Sequence, residues 1–295
     1  SELQHFSLHH ANNENCKLFV KRDDLIDTHI SGNKLRKLEG NLRVAQNAGA
    51  QQLITFGGAY SNHLLASAAA ANALHFPITG KVRGEELNPT SNAILYKCQE
   101  RGMQLKFISR TTYQIQKLTS GLDLSSKSWY IPEGGANPEG IWGCAQIYTE
   151  ALAQNNNQHF DAVFIAQGTT TTSLGILSAL GPQTQLYVVP VLKGFDALAE
   201  MKIRANLAQQ NALTSAFTFP FEQVTVLDQH HFGGYAKSTP ELRAFVEDFN
   251  LSGQFQIEPV YTGKALFALA EELPRLDGSC KSVLFVHTGG VGFAQ

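Results

Sequence analysis

Cysteine is scarce in this sequence and never closely paired. Cys16, Cys98, Cys144 and Cys280 stand far apart with no C-x-x-C motif, which argues against a disulfide framework and a structural zinc site and for reduced thiols. Net charge is nearly absent as well. With 23 Lys plus Arg against 25 Asp plus Glu, the chain lacks the basic footprint of a nucleic-acid or anionic-membrane binder. No apolar run approaches the ~18 residues of a spanning helix. The opening SELQHFSLHH lacks the basic and then apolar pattern of a secretory leader. The expectation is a cytoplasmic protein that handles a small molecule, with no nucleic acid, membrane or metal among its partners.

What is present is core-forming material: 43% of 295 residues are apolar, enough for roughly two domains. Short apolar runs rich in β-branched or aromatic residues predict strands at 16–20, 52–56, 78–82, 105–108, 129–131, 162–166, 186–191, 224–227 and 283–287. Several are apolar throughout, as strands buried on both faces must be. Helical patterns fit 37–48, 62–74, 91–101, 140–154, 174–180, 196–210, 240–250 and 264–273. This alternation predicts an α/β fold of two open, mostly parallel twisted sheets flanked by helices.

Ligands of parallel sheets bind at the carboxyl ends of strands, so the turns there are the most informative segments. After the run at 52–56 come Gly57, Gly58, Ala59, Tyr60, Ser61, Asn62 and His63. Ser61 and Asn62 serve a plain helix N-cap, and the same donors could face a substrate carboxylate at the positive end of the helix. His63, at the start of an apolar helix, reads as a packed residue rather than a base. A second strand runs into Gly168, Thr169, Thr170, Thr171 and Thr172. Threonine is a middling cap and a poor turn former, so four in a row suit a cradle of hydroxyls and backbone N–H groups for a phosphate. The spacing is neither a P-loop nor a dinucleotide fingerprint. The third turn, Thr288, Gly289 and Gly290, admits a flat ring close to the backbone and offers one neutral hydrogen-bonding hydroxyl.

Lys34 follows Gly32 and Asn33 where a helix opens. The helix dipole disfavours a cation there, which would help lower an amine pKa. A partly neutral lysine can form a Schiff base with a carbonyl cofactor and move a proton at a carbon acid. Lysine, phosphate cradle and ring site together suggest pyridoxal phosphate.

Five ordered motifs carry a resemblance: Lys21-Arg22-Asp23-Asp24-Leu25, Gly32-Asn33-Lys34-Leu35-Arg36-Lys37-Leu38-Glu39, Gly57-Gly58 with Ser61-Asn62-His63, Pro259-Val260-Tyr261-Thr262-Gly263-Lys264, and His287-Thr288-Gly289-Gly290. The chain resembles the D-cysteine desulfhydrase and 1-aminocyclopropane-1-carboxylate deaminase family of fold-type II pyridoxal-phosphate enzymes. The resemblance implies a homodimeric lyase acting on an amino acid. It makes Lys34 the cofactor lysine, Asn62 the partner of the cofactor hydroxyl, and Gly168 with Thr169, Thr170, Thr171 and Thr172 the phosphate site. Ser61, Tyr235 and Tyr261 would line the substrate side, and Thr288 the ring. It also implies a larger cofactor-binding domain of residues 1–43 with 153–295 and a smaller one of 44–152.

Ring-opening members of that family carry Glu after the tyrosine and Leu after the histidine, whereas this chain has Thr262 and Thr288, as desulfhydrases do. A carboxylate near the pyridine nitrogen keeps it protonated and makes the ring a strong electron sink; a hydroxyl gives a weaker one. Thiolate leaves readily, so β-elimination from D-cysteine tolerates the weaker sink. The other readings are a cyclopropane-carboxylate deaminase and a non-catalytic relative that only holds the cofactor. The phosphate turn is richer in threonine than in relatives, and Ser31 replaces their usual glycine.

Overall fold

The computed structural model describes residues 1–8, 16–26 and 32–290, so the Ser31 substitution lies outside the described residues. Strands are β1 (Glu2–Phe6), β2 (Lys17–Arg22), β3 (Gln52–Gly57), β4 (Ile78–Arg83), β5 (Gln104–Ile108), β6 (Gly121–Asp123), β7 (Ser128–Ile131), β8 (Ala162–Gln167), β9 (Gln185–Pro190), β10 (Val224–Val226) and β11 (Ser282–His287). Helices are α1 (Asn33–Asn47), α2 (Asn62–Ala73), α3 (Ala93–Glu100), α4 (Arg110–Gln116), α5 (Pro138–Gln154), α6 (Thr171–Leu177), α7 (Ala197–Gln209), α8 (Pro240–Leu251) and α9 (Thr262–Glu272).

The strands form two sheets, ordered β1-β2-β11-β8-β9-β10 and β5-β4-β3-β7-β6. Pairing is parallel except at two edges, where β1 runs antiparallel to β2 and β6 to β7. The two-sided burial expected of the apolar runs holds at β8, whose six residues are all buried, and at Val283, Leu284, Phe285 and Val286 of β11. Neither antiparallel edge strand stands out in the sequence. Only Phe6 of β1 is buried, and β6 is three half-buried residues, so cross-strand pairing rather than apolar pattern makes them strands. Helix α4 also hides in its sequence, Arg-Thr-Thr-Tyr-Gln-Ile-Gln, and is held at its start by Ser109, whose Oγ accepts from Thr112 N.

Two cores cover the six-stranded sheet and a third covers the five-stranded one. Helix α1 sends Leu38, Leu42 and Ala45 into the five-stranded sheet's core, while α5 sends Ile141, Cys144, Ile147 and Tyr148 into that of the other sheet. The two helices touch through glycines. A Cβ on Gly40 would lie 2.0 Å from the Glu139 carbonyl oxygen, and one on Gly143 would lie 1.9 Å from that of Arg36.

Helix α1 begins at Asn33, four residues before the sequence pattern predicts, and buried charges anchor it. Arg36 pairs with Asp23 at 3.1 Å and with Glu150, and Lys21 reaches Glu150 at 3.1 Å. Burial opposes ionisation of Glu150, but Arg36 and Lys21 outweigh it and hold the carboxyl down at about 2. The Lys-Arg-Asp-Asp motif is thus a mooring for the helix that carries Lys34.

Candidate active site

A cavity of about 960 Å³ opens where strands of both sheets end. The start of α1, the β3–α2 turn, the end of β4, the β8–α6 turn and the end of β11 all contribute to its wall. Of the residues singled out from sequence, Lys34, Ser61, Asn62, Gly168, Thr169, Thr172, Tyr235, Tyr261 and Thr288 line it. Thr170 and Thr171 do not: both are buried in the turn behind it.

Lys34 Nζ donates to Asn33 Oδ1 at 2.9 Å, and Asn33 Nδ2 donates to Thr172 Oγ1 at 2.9 Å. The lysine is therefore oriented by the threonine turn. Burial, reinforced by the charge of Lys37, lowers its pKa to about 7. Desolvation is the larger cause, where the sequence pointed to the helix dipole. Lys37 is itself buried, and its Nζ donates to Thr169 Oγ1 at 3.1 Å.

The ring-site turn is stitched to α1. Asn33 N donates to the Thr288 carbonyl at 3.2 Å, and Gly32, at φ +66°, lies so close that a Cβ would be 1.7 Å from that oxygen. His287 is fully buried, donates from Nε2 to the Gln256 carbonyl at 2.7 Å, and accepts the Gly289 N–H at Nδ1. Burial lowers its pKa and keeps the ring neutral, so it holds the turn.

Ser61 caps α2, its Oγ accepting from Leu64 N at 3.3 Å, while also facing the cavity. The capping and substrate-facing readings are therefore compatible. His63 is packed, as expected: its Nε2 meets Thr55 Oγ1 at 2.8 Å, and Thr55 donates to the Ile131 carbonyl. Burial, with Lys34 and Lys37 nearby, drops its pKa to about 3. Across the cavity Tyr235 and Tyr261 meet edge to face at 6.0 Å, and Tyr261 leans over Gly168, where a Cβ would come within 3.1 Å of its ring.

Residues 3–289 match the family described as pyridoxal-phosphate dependent enzyme. The chain belongs to that pyridoxal-phosphate family. It is 30% identical over 285 residues to a putative 1-aminocyclopropane-1-carboxylate deaminase of Pyrococcus abyssi, covering 93% of this chain and 84% of the relative. It is 28% identical over 288 residues to a D-cysteine desulfhydrase of Yersinia pestis, covering 93% and 86%. Among solved structures, an ACC deaminase homologue superposes with a TM-score of 0.75 at 26% identity, covering 94% of this chain and 85% of its own.

The residues of this pyridoxal-phosphate enzyme fit its cofactor. Thr170, Thr171 and Ser173 have buried hydroxyls with no hydrogen-bond partner among the described residues. Beside them, at the cavity wall, the Thr169 and Thr172 hydroxyls and Lys37 Nζ form a donor set suited to a phosphate dianion. A buried lysine of lowered pKa stands beside them.

Sequence reasoning missed Lys37, Glu258 and Arg83. Lys37 lies three residues after Lys34, so helical spacing alone puts both on one face. Glu258 lines the cavity, and its carboxylate accepts from the N–H groups of Val260, Tyr261 and Thr262. Thr262 is buried away from the cavity: its hydroxyl accepts from Glu258 N at 3.0 Å and donates to Glu258 Oε1 at 3.2 Å. Thr288 is thus the member of the threonine pair that faces the site.

Proposed function

We propose that this enzyme is a lyase that eliminates sulfide from D-cysteine, so that cysteine and water yield hydrogen sulfide, pyruvate and ammonia. The observation that carries the reading is Thr288, an uncharged hydroxyl at the cavity wall where ring-opening relatives carry leucine. When bound, pyridoxal phosphate supplies an electron sink for the substrate α-carbon. Lys34, neutral in good part near pH 7, takes the α-proton at Nζ. The start of α2, with Ser61, holds the substrate carboxylate, and Asn62 meets the cofactor hydroxyl. Gly168, Thr169 and Thr172, with Lys37, hold the phosphate, and Thr170 and Thr171 serve it only through the backbone of the turn. Tyr235 and Tyr261 enclose the leaving group, with burial, then Tyr235, keeping the Tyr261 phenol protonated.

The name of the Pyrococcus relative favours a second reading, cyclopropane ring opening. Glu258 does not support it, because its carboxylate is already engaged by three N–H groups. The proposal extends to a smaller domain of 44–152 beside a larger one of 1–43 with 153–295, to a homodimer, and to a cytoplasmic location. The five-stranded sheet, built from residues 52–131, supports the division.

The test is a screen of purified holoenzyme for sulfide and pyruvate from D-cysteine, L-cysteine, D-serine and β-chloro-D-alanine. Release from D-cysteine above the rest is expected. Silence on the whole panel would overturn the reading.

A further inference from the structure

Arg83 closes β4, and its guanidinium reaches over the turn that follows the neighbouring β3: a Cβ on Gly58 would lie 3.4 Å from its Nη2. It sits 5.7 Å from the Tyr113 ring centroid and has no acidic partner among the described residues. The acids of the cavity are otherwise engaged. Glu86 pairs with Arg110, Glu133 accepts from Tyr113 Oη at 2.6 Å and faces Lys117, and Glu258 caps α9. An unmatched guanidinium thus projects into the mouth of a cavity whose carboxylates are all engaged elsewhere.

We infer that Arg83 receives a second anionic group, so that the preferred substrate is a β-substituted amino acid whose β-substituent is itself acidic. This rests on the lyase reading for its chemistry, with D-cysteine as a smaller substrate that leaves the distal site unfilled. The α-carboxylate has its own site at the start of α2, where Ser61 and the first-turn N–H groups lie. Arg83 stands above Gly58, three residues before Ser61, and is exposed, so it could meet a substituent on a substrate whose α-carboxylate sits at the start of α2. A planar fork steadied on an aromatic face suits bidentate capture of a carboxylate or sulfonate.

The inference is tested by binding, apart from turnover. D-glutamate and D-glutamine have the same shape and no β leaving group, so their affinities for the holoenzyme, measured by isothermal titration calorimetry, isolate the distal charge. Wild type should bind D-glutamate about 10- to 100-fold more tightly, the range expected for charge-assisted hydrogen bonding. Arg83→Gln should abolish that preference while leaving D-alanine affinity unchanged. No preference in wild type, no binding of either amino acid, or an equal loss by the variant on all three ligands would overturn the inference; the last would put Arg83 on the α-carboxylate. Arg83→Gln removes no internal hydrogen bond, and its melting temperature should match wild type. A preference for D-glutamate without sulfide release from D-cysteine would count against the lyase reading and leave the anionic subsite at Arg83 standing. The reverse pattern would do the opposite.

Discussion

Lys37 Nζ and Thr169 Oγ1 meet at 3.1 Å, tying the first turns of α1 to the turn that ends β8. Since Lys34 lies on the same helix and is oriented through Asn33 to Thr172, one threonine turn positions both lysines. The proposed cofactor lysine and the proposed phosphate cradle are therefore one unit, and damage to either should register in the other.

Converting Thr169 and Thr172 together to valine should weaken cofactor affinity by about a hundredfold or more, since each charge-assisted hydrogen bond contributes roughly 1.5–3 kcal/mol. Lys37→Met should cost about tenfold or more on the same grounds. Equilibrium dialysis of the apoenzyme against cofactor measures both. Unchanged retention in either variant would move the phosphate elsewhere.

Gly32→Ala places a side chain at φ +66° and against the Thr288 carbonyl. Backbone strain alone costs about 1–3 kcal/mol, and the collision adds to it. A lower melting temperature together with weaker cofactor binding is expected; a variant that melts and binds as wild type does would refute the proposed stitch between Gly32 and Thr288.

Lys34 titrates at about 7 in the folded protein against an ordinary 10.5. Its reactive neutral form gains through pH 7, so the rate of cofactor attachment to the apoenzyme should rise with a midpoint there. Lys37→Met removes a neighbouring like charge and should move the midpoint upward. Between pH 7 and 10.5 the unfolded chain binds the extra proton, so this group makes apoenzyme stability climb with pH across that window. Lys34→Met should flatten the climb in denaturant titrations. A midpoint near 10 would mean that the lysine is well solvated.

Borohydride reduction of the holoenzyme should fix the cofactor to Lys34, and Lys34→Ala should remove the label from the tryptic map. A label that persists in the variant would assign the cofactor to another lysine.

Much of the architecture was legible because buried parallel strands such as β8 and β11 carry uninterrupted apolar runs. Edge strands β1 and β6 were not, since pairing with the next strand, rather than an apolar pattern of their own, makes them strands. The site divides in the same way. Lys34, Ser61 and Thr288 sit in turns whose glycines and capping residues mark them locally. Arg83 and Glu258 are single charges in ordinary surroundings, brought to the cavity by tertiary packing. Of the four threonines, only Thr169 and Thr172 face the cavity, because the turn enters α6 there and sends the middle two side chains inward.

The bond that this site breaks separates the two readings. The direct measurement is turnover by wild-type holoenzyme, at saturating cofactor, of D-cysteine and of 1-aminocyclopropane-1-carboxylate, followed as 2-oxo acid release. Thr288 at the cavity wall and the engaged Glu258 predict rapid pyruvate from D-cysteine and essentially none of the ring-opened product. Faster turnover of the cyclopropane amino acid than of D-cysteine would contradict the account.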